Sequence, residues 1–307
     1  MKPPTPLTRA AFRSQAGPAL LVCPACHGDL EIGSAEARCG CGLRFDVENG
    51  IPVLLTGPSE LARRQAAWFD DHEDAEWEIE RPNGAPALYR WLLEEKFRRA
   101  VEGVELREAT ALAVCAGSGM DAELLARAGA HVIALDISPG AARRASERAR
   151  RHQFDLLAVV GDATCLPFRD ASVDVVYVHD GLHHLDDPLA GLAEMARVAR
   201  SVVCLSEPAR ARVTALAVRA GLALEREEAG NTVGRLDAET VGVELVKAGF
   251  RILASGRYGM YYRHEPGHLA RILSHRGLLT AAKASFLLTN GIAGRFGNKL
   301  AVVAVRP

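Results

Sequence analysis

Cys23, Cys26, Cys39 and Cys41 crowd into nineteen positions near the start of the chain. Two close thiol pairs about a dozen residues apart have the spacing of a zinc ribbon, in which each pair sits on a tight knuckle and four thiolates close a tetrahedron round the metal. Residues 20–55 offer almost no core of their own, so the metal must supply much of their folding free energy. The competing reading, a pair of disulfides, needs an oxidising compartment. The first twenty residues hold Lys2, Arg9 and Arg13 but no apolar block before a cleavage site, so no secretory signal is expected and the setting reads as cytoplasmic. His27 follows Cys26 and can substitute as a ligand, although four cysteines suffice. Cys115, Cys165 and Cys204 lie beside or inside apolar runs and read as small buried hydrophobes.

A second set of residues points to a nucleotide-like ligand. Ala116-Gly117-Ser118-Gly119 follows one apolar run and precedes a helical stretch, where glycines let backbone approach a ligand closely. Asp136 ends the next run, and a carboxylate there can take both hydroxyls of a ribose. Gly161-Asp162-Ala163 ends the third, where an acid can accept from an adenine amino group. Each alone is ordinary turn chemistry. Three in order, each closing an apolar run, are not.

The elements that must position these residues alternate. Short apolar runs at 110–115, 132–135, 156–160, 173–178, 202–205, 252–254 and 300–305 are separated by helical stretches at 121–128, 141–152 and 188–200. That alternation predicts an α/β domain with a mostly parallel sheet covered on both faces. Residues 58–105 are charged with interleaved aromatics, and spacing predicts a helix over 87–102 and a turn at 80–84. This segment is either a lid over the site or a linker packed on the sheet edge. The organisation expected is a zinc ribbon at 18–57, a helical linker or lid at 58–106, and a ligand-binding domain at 107–307.

Residues 111–211 resemble the class I S-adenosylmethionine (SAM)-dependent methyltransferases, in the branch acting on small molecules. Residues 161–177, GDATCLPFRDASVDVVY, carry that branch's D-A-x-x-L-P-F-x-D-x-S-F-D pattern. The ribbon resembles the Trm112-like kind through Gly50-Ile51-Pro52-Val53-Leu54-Leu55, although its second knuckle, Cys39-Gly40-Cys41, is one residue short. The resemblance implies a Rossmann-like, seven-stranded, mostly parallel sheet whose last strand, 300–305, is antiparallel and inserted at the sheet edge. It implies SAM as cofactor, with Ala116, Gly117 and Gly119 beside the methionine portion, Asp136 on the ribose, Asp162 and Ala163 by the adenine, and Leu166 lining the adenine pocket. Two departures stand out: Ala113 replaces the usual acid and Cys115 the usual first glycine. Asp121, in the following helix's first turn, is then the candidate partner for the cofactor's ammonium. Asp162 followed by Leu166-Pro167-Phe168 argues against a nicotinamide dehydrogenase, although Ala122 alone would permit one.

Methyl transfer is an in-line displacement in which a protein orients the reactants and, where needed, removes a proton. The family places the stretch Val178-His179-Asp180-Gly181-Leu182-His183-His184 against the transferred methyl. His179 is expected as general base, with His183 or His184 as substitutes and Glu207 adding a carboxylate at the same rim. The stretch 257–268, with three tyrosines among arginines and histidines, reads either as an acceptor pocket or as an edge-covering loop followed by an amphipathic helix over 278–288.

Composition bounds the partners. Lysine and arginine number 37 against 38 acids, for a net charge of −1, which excludes a strongly basic nucleic-acid binder. No apolar run approaches the roughly 20 residues of a membrane span, so no membrane partner is expected. The leading reading is methyl transfer to a small-molecule acceptor. An RNA base methyltransferase gripping RNA through the ribbon is the alternative, but Arg38 and Arg44 there face Asp29, Glu31, Glu36, Asp46 and Glu48, a surface that repels phosphates. A non-catalytic scaffold is the third reading.

Overall fold

The computed structural model describes residues 18–70, 75–210 and 236–307. The reading of the N-terminus as lacking a secretory signal therefore lies largely outside the described residues, as do 71–74 of the linker and 211–235 of the ligand-binding domain.

Five apolar runs become parallel strands: β5 (Thr110–Val114), β6 (His131–Asp136), β7 (Leu156–Gly161), β8 (Val173–His179) and β9 (Ala199–Pro208). Every residue of β6 and β7 is buried, as parallel strands covered on both faces require. Side chains alternate between two cores. Leu112, Val114, Ile133, Leu135 and Val159 face one side, and Ala111, Ala113, Val132, Ala134 and Val175 the other. Two more strands, β10 (Arg251–Tyr258) and β11 (Lys299–Val305), complete the domain in the order β7-β6-β5-β8-β9-β11-β10. The last strand is antiparallel to both neighbours, as the resemblance implies, but it lies one place in from the edge, between β9 and β10. Burial explains this correction. Residues 300–304 are all buried and need neighbours on both sides, whereas β10 alternates with exposed positions and suits an edge. β10 also runs to Tyr258, absorbing two residues of the stretch read as a loop insertion.

The ribbon strands β1 (Leu30–Ile32), β2 (Glu36–Cys39), β3 (Arg44–Glu48) and β4 (Ile51–Leu54) form an antiparallel meander. Asn49 and Gly50, at φ 53° and 78°, make the two-residue turn into β4. β4 then pairs in parallel with β7, matching Val53 to Val160 and Leu54 to Gly161, so ribbon and domain share one eleven-stranded sheet. Leu21, Cys23, Cys39 and Phe45 belong to the same core as β5–β9.

The helices follow their signals. Preceding β5 are α1 (Glu60–Asp70), α2 (Ala75–Glu80) and α3 (Ala87–Ala100). Next come α4 (Met120–Arg127), α5 (Pro139–Arg151), capped by the Ser138 hydroxyl, and α6 (Pro188–Val198), capped by Asp187. Last are α7 (Ala238–Lys247), α8 (His268–Leu273) and α9 (Arg276–Ala293), the last of these longer than the 278–288 read from spacing. Among the described residues no helix is long and apolar enough to cross a membrane.

Candidate functional site

The C-terminal ends of β5 to β8 open onto one cavity of about 1000 Å³. At its first wall, the Gly117 amide donates to Asp136 Oδ2 at 2.8 Å and the Ser138 amide to Oδ1 at 3.0 Å. Asp136 is 8 % exposed; burial pushes its carboxyl up, and these two amides work against that. Ala116, Gly117, Asp136, Asp162 and Ala163 all line the cavity. Asp162 Oδ1 is steadied by the Thr164 amide at 2.8 Å and hydroxyl at 2.7 Å.

Gly119 lies just outside the lining. Its φ of 80° and the approach of Ala145, whose Cβ would stand 3.0 Å from an added Cβ, explain the glycine through packing of α4 on α5. Leu166 is also placed elsewhere: it is fully buried in the core, its amide on Glu194, and the neighbouring Cys165 lines the cavity instead.

At the β8 end the site becomes charged. His179 Nδ1 lies 2.7 Å from Asp121 Oδ2, and Nε2 lies 3.1 Å from Asp180 Oδ2. Asp121 also accepts from the Tyr177 hydroxyl at 3.0 Å. Asp180 gathers Lys299 Nζ at 2.6 and 2.7 Å, Lys96 Nζ at 3.1 Å and the Tyr262 hydroxyl at 3.4 Å. Lys96 additionally bonds the Tyr262 hydroxyl. Burial alone would raise the Asp180 carboxyl, but Lys299 and Lys96 overcome it and hold the group well below the usual carboxylate range. Asp121 lies further from those lysines, and burial pushes it up to about 6. Burial likewise pushes the Lys96 ammonium down.

These contacts bear on the expected base. Asp180 is anionic, so His179 Nε2 must donate to it. One further proton is then shared between Nδ1 and Asp121. In this arrangement the ring has no free lone pair facing the cavity. His183 is buried with Nδ1 on Glu207 Oε2 at 2.9 Å, and Glu207 Oε1 takes the amides of Gly181 and Leu182. That pair shapes the turn after β8. His184 does line the cavity, edge-on to Phe69 and stacked on His183.

The roof comes from the segment before β5 and from the 260s loop. Gln65 and Phe69 of α1, with Glu78 and Arg81 from α2 and its end, line the cavity opposite the strands, as do Tyr261 and Tyr262. α1 is tied down by Asp70 Oδ1, which accepts from the Ser138 hydroxyl at 2.8 Å and the Gly140 amide at 2.6 Å. Buried Arg148 joins Ser118 O, Glu123 and Glu78 O, bridging α2 to the glycine turn.

The four ribbon thiols converge within 4.8 Å of one another, with Cys23–Cys41 at 3.9 Å and Cys26–Cys39 at 3.4 Å. Zinc–sulfur bonds of about 2.3 Å in a tetrahedron give edges of about 3.8 Å, so the donor set fits that ion. The short knuckle reaches the site because Gly42, at φ 96°, turns its amide onto Cys39 O. His27 is not needed to complete the set.

Residues 112–203 match the family model of the methyltransferase domain. The chain carries a class I methyltransferase domain. The demethylmenaquinone methyltransferase of Renibacterium salmoninarum is 44% identical over 89 residues, 29% of this chain and 36% of that protein. The chain thus matches little more than a third of the length of such relatives. Among solved structures, magnesium protoporphyrin IX methyltransferase from Synechocystis, with bound S-adenosylhomocysteine (SAH), superposes with a TM-score of 0.55 at 18% identity, over 79% of this chain and 98% of that one. The (4+2)-cyclase SpnF gives the same TM-score and identity over 85% of this chain and 99% of its own. The fold is therefore shared with a protein named for different chemistry.

Sequence reading missed the roles of Lys96, Asp180 and Lys299, and offered Tyr262 only within the 257–268 stretch, as an acceptor pocket or an edge-covering loop. Asp180 stood in the quoted motif and only its role was overlooked. The others come from α3, β11 and the 260s loop, far along the chain. Lys299, a charge opening an otherwise apolar strand, was the one available signal.

Proposed function

We propose that this chain transfers a methyl group from SAM to a small-molecule acceptor bound at the β8 end of the cavity. One observation carries the reading: Gly117, Asp136 and Asp162, on three successive strand ends, line the same cavity as the charged cluster round Asp180. Asp136 faces the cavity with both oxygens held by backbone amides, as suits a carboxylate that receives two ribose hydroxyls. Asp162 stands one strand further on for the adenine, and Asp121 is the carboxylate available to the ammonium. When bound, SAM supplies an electrophilic methyl; the rest is done by this chain's side chains.

Those side chains favour an acidic hydroxyl, phenolic or enolic, as the nucleophile. Lys96 and Lys299 are two cations against the carboxylate of Asp180, while His179 and Asp121, sharing a proton, are neutral as a pair. The surplus positive charge stabilises an acceptor oxygen as its anion, with Lys299 and Tyr262 presenting the donors at the cavity wall. No side-chain base is then required, and His179 positions rather than deprotonates. A ring-bearing apolar acceptor, as in the relatives named for demethylmenaquinone, fits this lining. α1 and α2 act as the cover that excludes water. Cys23, Cys26, Cys39 and Cys41 hold a structural zinc, and their thiolates suit a reducing, cytoplasmic setting. Against RNA as acceptor, Arg38 and Arg44 are both paired with Glu36.

Calorimetric titration with SAM tests the reading. Asp136→Ala should weaken binding by about 1.5–3 kcal/mol, the worth of a charged hydrogen bond. Unchanged affinity would remove the ribose assignment and the reading with it.

A further inference from the structure

We propose that the α8–α9 hairpin is a membrane-surface docking face, fitted to a bilayer with acidic headgroups. The expectation of no membrane partner rested on spanning length alone, and lying on a bilayer is a different demand.

From residue 266 to 299 there is not one Asp or Glu, while Arg271, Arg276, Lys283 and Arg295 supply four cations besides Lys299, which is held by Asp180. The rest of the chain holds 32 lysines and arginines against 38 acids, so this segment is opposite to it in sign. The same region concentrates exposed apolar side chains. Of thirteen large hydrophobics exposed among the described residues, eight lie between Tyr261 and Phe296. Leu269, Leu288 and Ile292 are 68%, 66% and 73% exposed.

α9 already has a packed face. Phe286 meets Trp91 edge-on at 5.3 Å, Lys283 lies over the same indole, and Asn290 bonds Gly259. Leu288 and Ile292 point away from that face, and none of the helix's 18 residues is buried. An outward stripe that is both apolar and flanked only by cations is the pattern of a helix resting among lipid headgroups. A protein partner would be met by apolar surface alone; the complete absence of acids selects an anionic surface. The hairpin is continuous with the cavity, whose lining includes Tyr261, 81% exposed, on one side and Asn298 on the other. Docking would therefore set the cavity mouth against the bilayer.

The test is co-sedimentation of the full chain, without SAM or acceptor, so its outcome is independent of the methyl-transfer reading. Vesicles of phosphatidylcholine plus phosphatidylglycerol should bind at least about tenfold more protein than pure phosphatidylcholine, with loss at high salt. Leu288→Ser with Ile292→Ser should abolish binding, and Arg276→Glu with Arg295→Glu should reduce it by about tenfold. Both variants should keep the wild-type melting temperature, since all four side chains are exposed. Wild-type protein remaining in the supernatant with acidic vesicles would overturn the proposal. So would charge-reversed protein binding as well as wild type, or a serine variant that merely turns a dimer into a monomer.

Discussion

Asp180 is the side chain on which the reactive end of the cavity turns. It is held at φ 47°, uncommon for a non-glycine residue, where it meets Lys96, Lys299, Tyr262 and His179. The neighbouring Gly181 is required because an added Cβ would stand 2.4 Å from Cys115 Cβ. Removing the charge strands Lys96, whose side chain is 1% exposed. Asp180→Asn should cost about 3–5 kcal/mol of stability at neutral pH. Because the folded carboxyl titrates below its unfolded value, this stabilisation is complete above about pH 5 and fades as pH falls below about 4. Melting curves of both proteins across that window should converge on acidification; a pH-independent gap would contradict the ion pairing. His179 gives a second expectation. His179→Gln should keep turnover within about tenfold of wild type, whereas loss by about 10²–10⁴ would restore it as the general base. The sequence marked this histidine's position correctly. Its partners were illegible, because Asp121 and Asp180 converge on it only once β8 and α4 are side by side.

At the scale of elements, the ribbon and the loop after β7 are one unit. The Val22 amide donates to Pro167 O at 3.0 Å, the Arg169 amide to Leu20 O at 3.1 Å, and the Cys165 thiol to Pro24 O at 2.8 Å. With β4 paired to β7, the first metal knuckle braces the loop that carries Asp162. Stripping zinc with a chelator should therefore lower the melting temperature and weaken SAM binding together, by about tenfold or more if the loop loosens. A zinc-free chain that stays folded and binds SAM with undiminished affinity would separate the two. Most strands were legible because parallel strands read as continuous apolar runs. The β4–β7 pairing was not, since nothing in Ile51–Leu54 specifies its partner. β10 was cut short at 252–254 because its alternation with exposed residues looks like loop sequence, and α1 was hidden in a charged linker, with Trp68 and Phe69 falling only at its end.

Across the described residues, one sheet carries the four-thiol cluster at one end, an edge hairpin at the other, and a roofed cavity between them. The order of glycine turn, first acid and second acid along the chain named three residues that line one cavity. The roof segments 58–105 and 257–268 were read only as alternatives, and the meeting of Lys96 and Lys299 at Asp180 was not readable, because the two lysines lie far apart along the chain. The most direct measurement is a crystal structure of the chain with SAH. The expected result places the ribose hydroxyls on Asp136, the adenine beside Asp162, and the sulfur directed at the space between His184 and Lys299. SAH bound with the sulfur turned away from β8, or a cavity that stays empty at saturating SAH, would contradict it.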